Sequence, residues 1–187
     1  MMNAESIILF LHIVGALGIF VALGLEWTGL GHLRNAQASE QARVWMGMLK
    51  STQGLGSSSM LTTVITGVYM MLTDWGFVPW ISVTIGALIL VILLSMLLTR
   101  PQMAAIGKAL FVEKGRIIKD LPAYANHPLL WISIKTRVAI ALGIVFLKTA
   151  KPELGGSLLA ILVAIALGLT TSLYLPLHKR VQEGPVN

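Results

Sequence analysis

The chain contains no cysteine. Disulfides, thiolate-bound metals, iron–sulfur clusters and cysteine nucleophiles are therefore excluded. Charge is the second shortage. Only 12% of the 187 residues are charged, against roughly 25% in a soluble domain. Carboxylates are the scarcer sign, 8 against 14 Lys and Arg. No Gly-rich phosphate loop, metalloprotease motif or serine nucleophile elbow occurs either. The commonest signatures of nucleotide binding and hydrolysis are thus missing.

What is present is apolar sequence, 56% hydrophobic with a mean hydropathy of +0.80. Trp80 to Thr99 and Leu154 to His178 carry no charge. Roughly 20 apolar residues cross a bilayer. The reading is an all-α, polytopic transmembrane helix bundle, a single domain over residues 1–187. Its five spans are expected at about 7–30, 54–73, 80–99, 129–148 and 156–177. Span 1 is expected as a retained helix, because Glu5 stands where a signal peptide has a basic cluster. Span 2 is expected to extend backward as a helix through Gln41-Ala42-Arg43-Val44-Trp45. In the segment 102–114, Ile106, Leu110 and Phe111 share a face and Lys108 lies off it. That pattern predicts an amphipathic helix on the cytoplasmic surface. Asn126 is expected to cap span 4, with Pro128 in its first turn.

Orientation follows from the basic residues. Arg34, Arg43 and Lys50 lie between spans 1 and 2. Arg100, Lys108, Lys114, Arg116 and Lys119 lie between spans 3 and 4, and Lys179 and Arg180 follow span 5. The 2–3 connection has none, and the 4–5 connection only Lys148 and Lys151. This predicts an outer N-terminus and a cytoplasmic C-terminus in a bacterial inner membrane. The formal charge of +6 is then a topological signal and an attraction to anionic lipid. No nucleic-acid partner is expected. Trp75 and Trp80 would belt the outer face; Trp27, Trp45 and Trp131 would belt the inner one. A weak internal repeat pairs "ITGVYMML" (65–72) with "ALGIVFLK" (141–148), Gly67 with Gly143, and Pro101 with Pro176. It would make spans 2–3 and 4–5 duplicated hairpins.

Few residues can carry chemistry. Gly15, Gly18, Ala22 and Gly29 form a small-residue stripe on span 1, suited to close helix packing. His12 and Glu26 project to roughly the same side, because 14 residues make nearly four turns. They stand about 21 Å apart along the axis, so they are two sites. Span 4 enters from the end where Glu26 lies and carries Lys135 and Arg137. An intramembrane charge needs a partner. Glu26 is expected to form an ion pair or proton site with one of them, Lys135 being slightly favoured as the inward one. His12 is either a neutral histidine bonded to a neighbouring helix or a cofactor ligand. As a haem ligand it would find its second axial partner in Met70, Met71 or Lys148. His32, His127 and His178 fall at the other end and read as solvated. The hydroxyls Ser57, Ser58, Ser59, Thr62, Thr63 and Thr66 suit close packing or a polar path. No metal site is expected.

The stretches "LFLHIVGALGIF", "TTVITGVYMML" and "WGFVPWI" resemble an uncharacterised bacterial integral membrane family of about five spans. More distantly, the chain is similar to the CopD copper-resistance proteins and the HemJ-type protoporphyrinogen oxidases, which place a histidine early in span 1. HemJ-type proteins use that histidine and a membrane lysine around a b-type haem. His12 is the residue that carries over. Three readings follow. The first is a non-catalytic subunit or packing partner, alone or as a homo-oligomer. The second is a b-type haem or quinone redox protein with His12 as ligand. The third is a small transporter using Glu26 and Lys135.

Overall fold

The computed structural model describes residues 3–36, 38–112 and 125–182, with side chains to residue 110 and from 125 to 172. Every regular element among them is a helix. Helix α1 runs Ala4–Arg34 and α2 runs Ser39–Met70, closed by a π-helical turn, Met71–Trp75. Helix α3, Pro79–Leu94, widens into a second π-helical turn, Ser95–Thr99, and continues as α4, Arg100–Val112. Helix α5 runs Pro128–Ala150 and α6 runs Leu154–Gln182. Five stretches are long and apolar enough to cross a membrane: Ala4–Arg34, Ser39–Trp75, Pro79–Leu110, Pro128–Ala150 and Leu154–Ser172.

Several expected boundaries move, each for a local reason. Span 1 lengthens at both ends, and span 2 is continuous with its backward extension. The third span passes Pro101 without a break. Proline removes a backbone donor, and the π turn directly before it shifts the ladder, with the Arg100 N–H bonding Ser95 O. Helix α5 is capped by His127 rather than Asn126. The residue before a proline is held extended, and His127 has φ −55° and ψ 124°. Residues 113–124, with Lys114, Arg116 and Lys119, lie outside the described residues, as do the side chains of Phe111, His178, Lys179 and Arg180.

The helices pack in two antiparallel pairs, α1 with α2 and α5 with α6. Helix α3 leans on α5 and α6, and α4 reaches α2. The two halves of the expected repeat pack unequally: α2 packs chiefly on α1, whereas α5 packs chiefly on α6. The small stripe on α1 explains the choice. A β-carbon on Gly15 would stand 3.1 Å from the Ser59 carbonyl and the Thr63 nitrogen of α2. Gly18 faces Ser59, Ala22 faces Gly56, and Gly29 faces Leu49. Gly143 and Gly168 do the same for α5 and α6. Gly143 meets Ala164 and Ile161, and a β-carbon on Gly168 would come within 2.5 Å of the Thr136 Cα.

Two apolar cores result. One lies toward the end where α1 finishes and α5 begins, here the basic end. It joins Leu30, Leu33, Leu49, Ile106, Leu130 and Ile134, all at most 1% exposed. Helix α4 contributes Met103, Ile106 and Leu110 to it. Its apolar residues Met103, Ile106 and Leu110 are therefore covered by protein. The long ends of α1 and α2 supply the cover. The second core joins Ala87, Val91, Ile140, Leu147 and Ile161. Around it, Phe10, Leu17, Leu61, Ile65, Leu97, Leu142, Leu159 and Leu162 form an exposed apolar surface. Helix α5 is the hub: 50% of its apolar window is buried, against 11–22% for the other four.

The glycine contacts make a direct prediction. Gly168→Ala forces a β-carbon onto backbone and lowers stability by about 1–3 kcal/mol, the usual range for overpacking. Gly86→Ala, with nothing within 4 Å, changes stability little. Thermal unfolding of the two variants in one detergent checks this; equal midpoints would contradict the packing.

Candidate functional site

Two polar clusters interrupt the apolar bundle, and both join α1 to α5. The first is built on His12. Its ring is buried against α2, where Gly67 leaves room: a β-carbon there would stand 3.1 Å from His12 Cε1. Nδ1 lies 3.0 Å from Thr66 Oγ1. Lys148, reaching from the last turns of α5, sets its Nζ on Nε2.

Proton accounting assigns the tautomer. A threonine hydroxyl has one proton to give. Thr66 gives its proton to backbone carbonyls, that of Thr62 at 2.6 Å and that of Thr63 at 3.3 Å. Thr66 Oγ1 is therefore the acceptor, and His12 Nδ1 carries the hydrogen. Nε2 is left unprotonated, and its lone pair accepts from Lys148 Nζ. A fixed tautomer of this kind is how metal-ligating histidines are oriented, the far nitrogen donating to an oxygen. The structure thus brings Lys148, rather than Met70 or Met71, to the unprotonated nitrogen. Met70 ends α2, half-buried, and Met71 opens the π turn after it, buried.

The second cluster lies toward the basic end. Arg137 Nη2 is paired with Glu26 Oε1, the side chains 6% and 16% exposed. The same nitrogen donates to Thr99 Oγ1 at 3.3 Å. Thr99 and Ser133 share a hydrogen bond of 2.9 Å, and Ser133 donates to the Leu94 carbonyl at 3.1 Å. Leu94 and Thr99 bracket the second π turn, so the irregular backbone presents both groups to α5. Lys135 points elsewhere. Its Nζ donates to the Thr171 carbonyl of α6 at 2.7 Å. Both basic residues are buried, so the inward face is not Lys135's alone, and the carboxylate goes to Arg137. Two positions apart on a helix, they face different neighbours. Arg137 Nε, Thr136 Oγ1 and His127 Nδ1 are buried with no partner among the described residues.

The remaining expectations resolve locally. Gly15, Gly18, Ala22 and Gly29 all lie on the α1–α2 contact. Ser59, Thr63 and Thr66 face that contact buried, while Ser58 and Thr62 bond their own helix backbone. His32 is exposed and stacked on Trp45, with centroids 4.2 Å apart. Among the described residues, no three His, Cys, Asp or Glu gather as a metal site. Thr99, Ser133 and Thr171 went unnoticed in the sequence. Thr99 gave no signal beyond ending an apolar run, because a π turn is not visible in residue order. Comparison with protein-family models, with curated proteins and with solved structures finds no match in any of the three. The geometry of the two clusters therefore carries the functional argument.

The Glu26–Arg137 pair behaves as a clamp between α1 and α5. Removing one partner of a buried pair strands the other, at a cost on the order of 3 kcal/mol. Glu26→Gln is expected to cost that much. Adding Arg137→Met should cost less than the sum of the single changes, with a coupling of roughly 1–3 kcal/mol. Equilibrium unfolding of the four chains measures it, and strictly additive losses would show that the clamp does not exist.

Proposed function

We propose that this chain is a multi-pass membrane protein whose working centre is His12 with Lys148, a nitrogen pair that holds a redox cofactor of the b-type haem class. The observation that carries the reading is the unprotonated Nε2 of His12 paired with an amine from another helix. The oxygen of Thr66 orients the ring from behind. Imidazole is an ordinary axial ligand of haem iron. The amine hangs on a flexible four-carbon stem, so Lys148 would be free to move off Nε2 and offer its nitrogen to a bound group. The CopD and HemJ-type resemblance supports the reading at one residue, His12, since those proteins place a histidine early in span 1.

The chain's own contribution is binding and positioning. His12 offers Nε2, Thr66 keeps that nitrogen deprotonated, and Gly67 lets the ring lie against α2. Haem, when bound, supplies one-electron chemistry. The Glu26–Arg137 cluster takes no part in this and holds the far end of the same two helices together. In a bacterial inner membrane, the basic end would face the cytoplasm by the positive-inside rule. The His12 centre would then lie in the outer half.

The test is an absorbance spectrum of the detergent-purified chain, expressed with ample haem, oxidised and dithionite-reduced. A reduced haem band is expected, lost in His12→Ala and shifted or weakened in Lys148→Met. A colourless, folded sample would retire the reading and leave His12 as a hydrogen-bonded link among α1, α2 and α5.

A further inference from the structure

Lys151 has a backbone conformation that its side chain does not favour. It caps α5 at φ 46° and ψ 52°, donating its N–H to the Leu147 carbonyl at 2.9 Å. Among the described residues, it is the one position other than glycine with positive φ. Helices ending this way usually place glycine there, because a β-carbon is strained in the left-handed region. The structure shows what a lysine adds that glycine would not. Its Nζ stands 4.0 Å over the ring of Trp75, a cation–π contact. Trp75 closes the π turn at the end of α2. It is braced edge-on by Trp80 from the first turn of α3, with centroids 5.8 Å apart and planes at 77°. Gly76, at φ 66° and ψ −164°, makes the sharp turn that brings the two tryptophans together.

Helices α2 and α5 each hold one partner of His12, Thr66 on α2 and Lys148 on α5. The polar path between them runs through α1, from Thr66 to His12 to Lys148. The Lys151–Trp75 contact is a direct link between the same two helices, and Lys151 follows Lys148 by three residues. We propose that Lys151 and Trp75 are positioning residues, a cation–π latch that fixes the end of α5 against the end of α2. In doing so it holds Lys148 at His12. Trp75 is 44% exposed and Lys151 is exposed, so the latch can open without disturbing either apolar core. The proposal rests on the geometry of the His12 centre and stands whether or not that centre holds haem.

The absence of native cysteine makes the test clean. Leu72→Cys and Phe146→Cys place spin labels on exposed sites near the ends of α2 and α5. Pulsed electron–electron distance measurement on the full, cofactor-free chain reads the spread between them. Trp75→Leu and Lys151→Gly are each expected to broaden the distribution at least twofold, while Lys151→Arg keeps the parent's width. Lys151→Gly is the informative contrast, because it relieves the strained backbone and would tighten or leave unchanged an end that has no latch. A parent-like distribution in Trp75→Leu overturns the proposal. Should the labelled pair not fold, hydrogen exchange at residues 145–150 of the unlabelled Trp75→Leu chain decides instead. Exchange several-fold faster than in the parent supports the latch, and an unchanged rate overturns it.

Discussion

The contact between α1 and α2 is the constraint from which the His12 centre follows. Membrane-type helices gain little from burying apolar surface against one another, so they associate where small residues permit close approach. Gly15 and Gly18 provide that approach opposite Ser59 and Thr63. With the helices in that register, Thr66 and Gly67 fall beside His12. A longer side chain at Gly15 would meet the α2 backbone and push Thr66 off Nδ1. The tautomer of His12, and hence the accepting lone pair on Nε2, depends on that spacing. A packing feature thus sets up the chemistry.

Helix α5 poses the opposite problem. It carries three basic side chains through the most enclosed position in the bundle, and the described interior offers one carboxylate to meet them. Each cation finds a different answer. Arg137 takes the carboxylate of Glu26, and its planar fork also reaches Thr99. Lys135 takes a backbone carbonyl on α6. Lys148 takes the imidazole. Only the first neutralises charge with charge, which suits a static clamp. The last donates to a neutral acceptor, so the hydrogen bond is made but the charge has no counter-ion beside it. Structure alone gives little reason to build it, and that imbalance is what directs the functional proposal to this end of the bundle.

The two clusters also divide the molecule mechanically. Beyond Glu26 and Arg137, tightly packed side chains from α1, α2, α4 and α5 make a firm base. Around His12 the helices present apolar side chains outward and meet through glycine and hydroxyl contacts. The proposed ligand site lies at this end, beside the smaller of the two apolar cores. The Lys151–Trp75 contact lies at the same end.

Much of this architecture could be read from residue order, for definite reasons. Helix number, apolar spans and the backward extension of α2 follow from composition and 3.6-residue periodicity, which are local properties. The paired placement of Glu26 with a basic residue of α5 followed from the cost of an unpaired charge. The glycine stripe announced a close helix contact but not its partner. Which cation took Glu26, which donor met Nε2 and where α4 laid its apolar face depended on the relative rotation of helices distant in sequence. Thr99 joined the charged cluster only because a π turn rotated it there. Residue order was enough to require five apolar helices with a histidine near one end and a carboxylate near the other. Tertiary structure alone decided their partners, because side-chain contacts between helices depend on rotation and register, and no single helix encodes these.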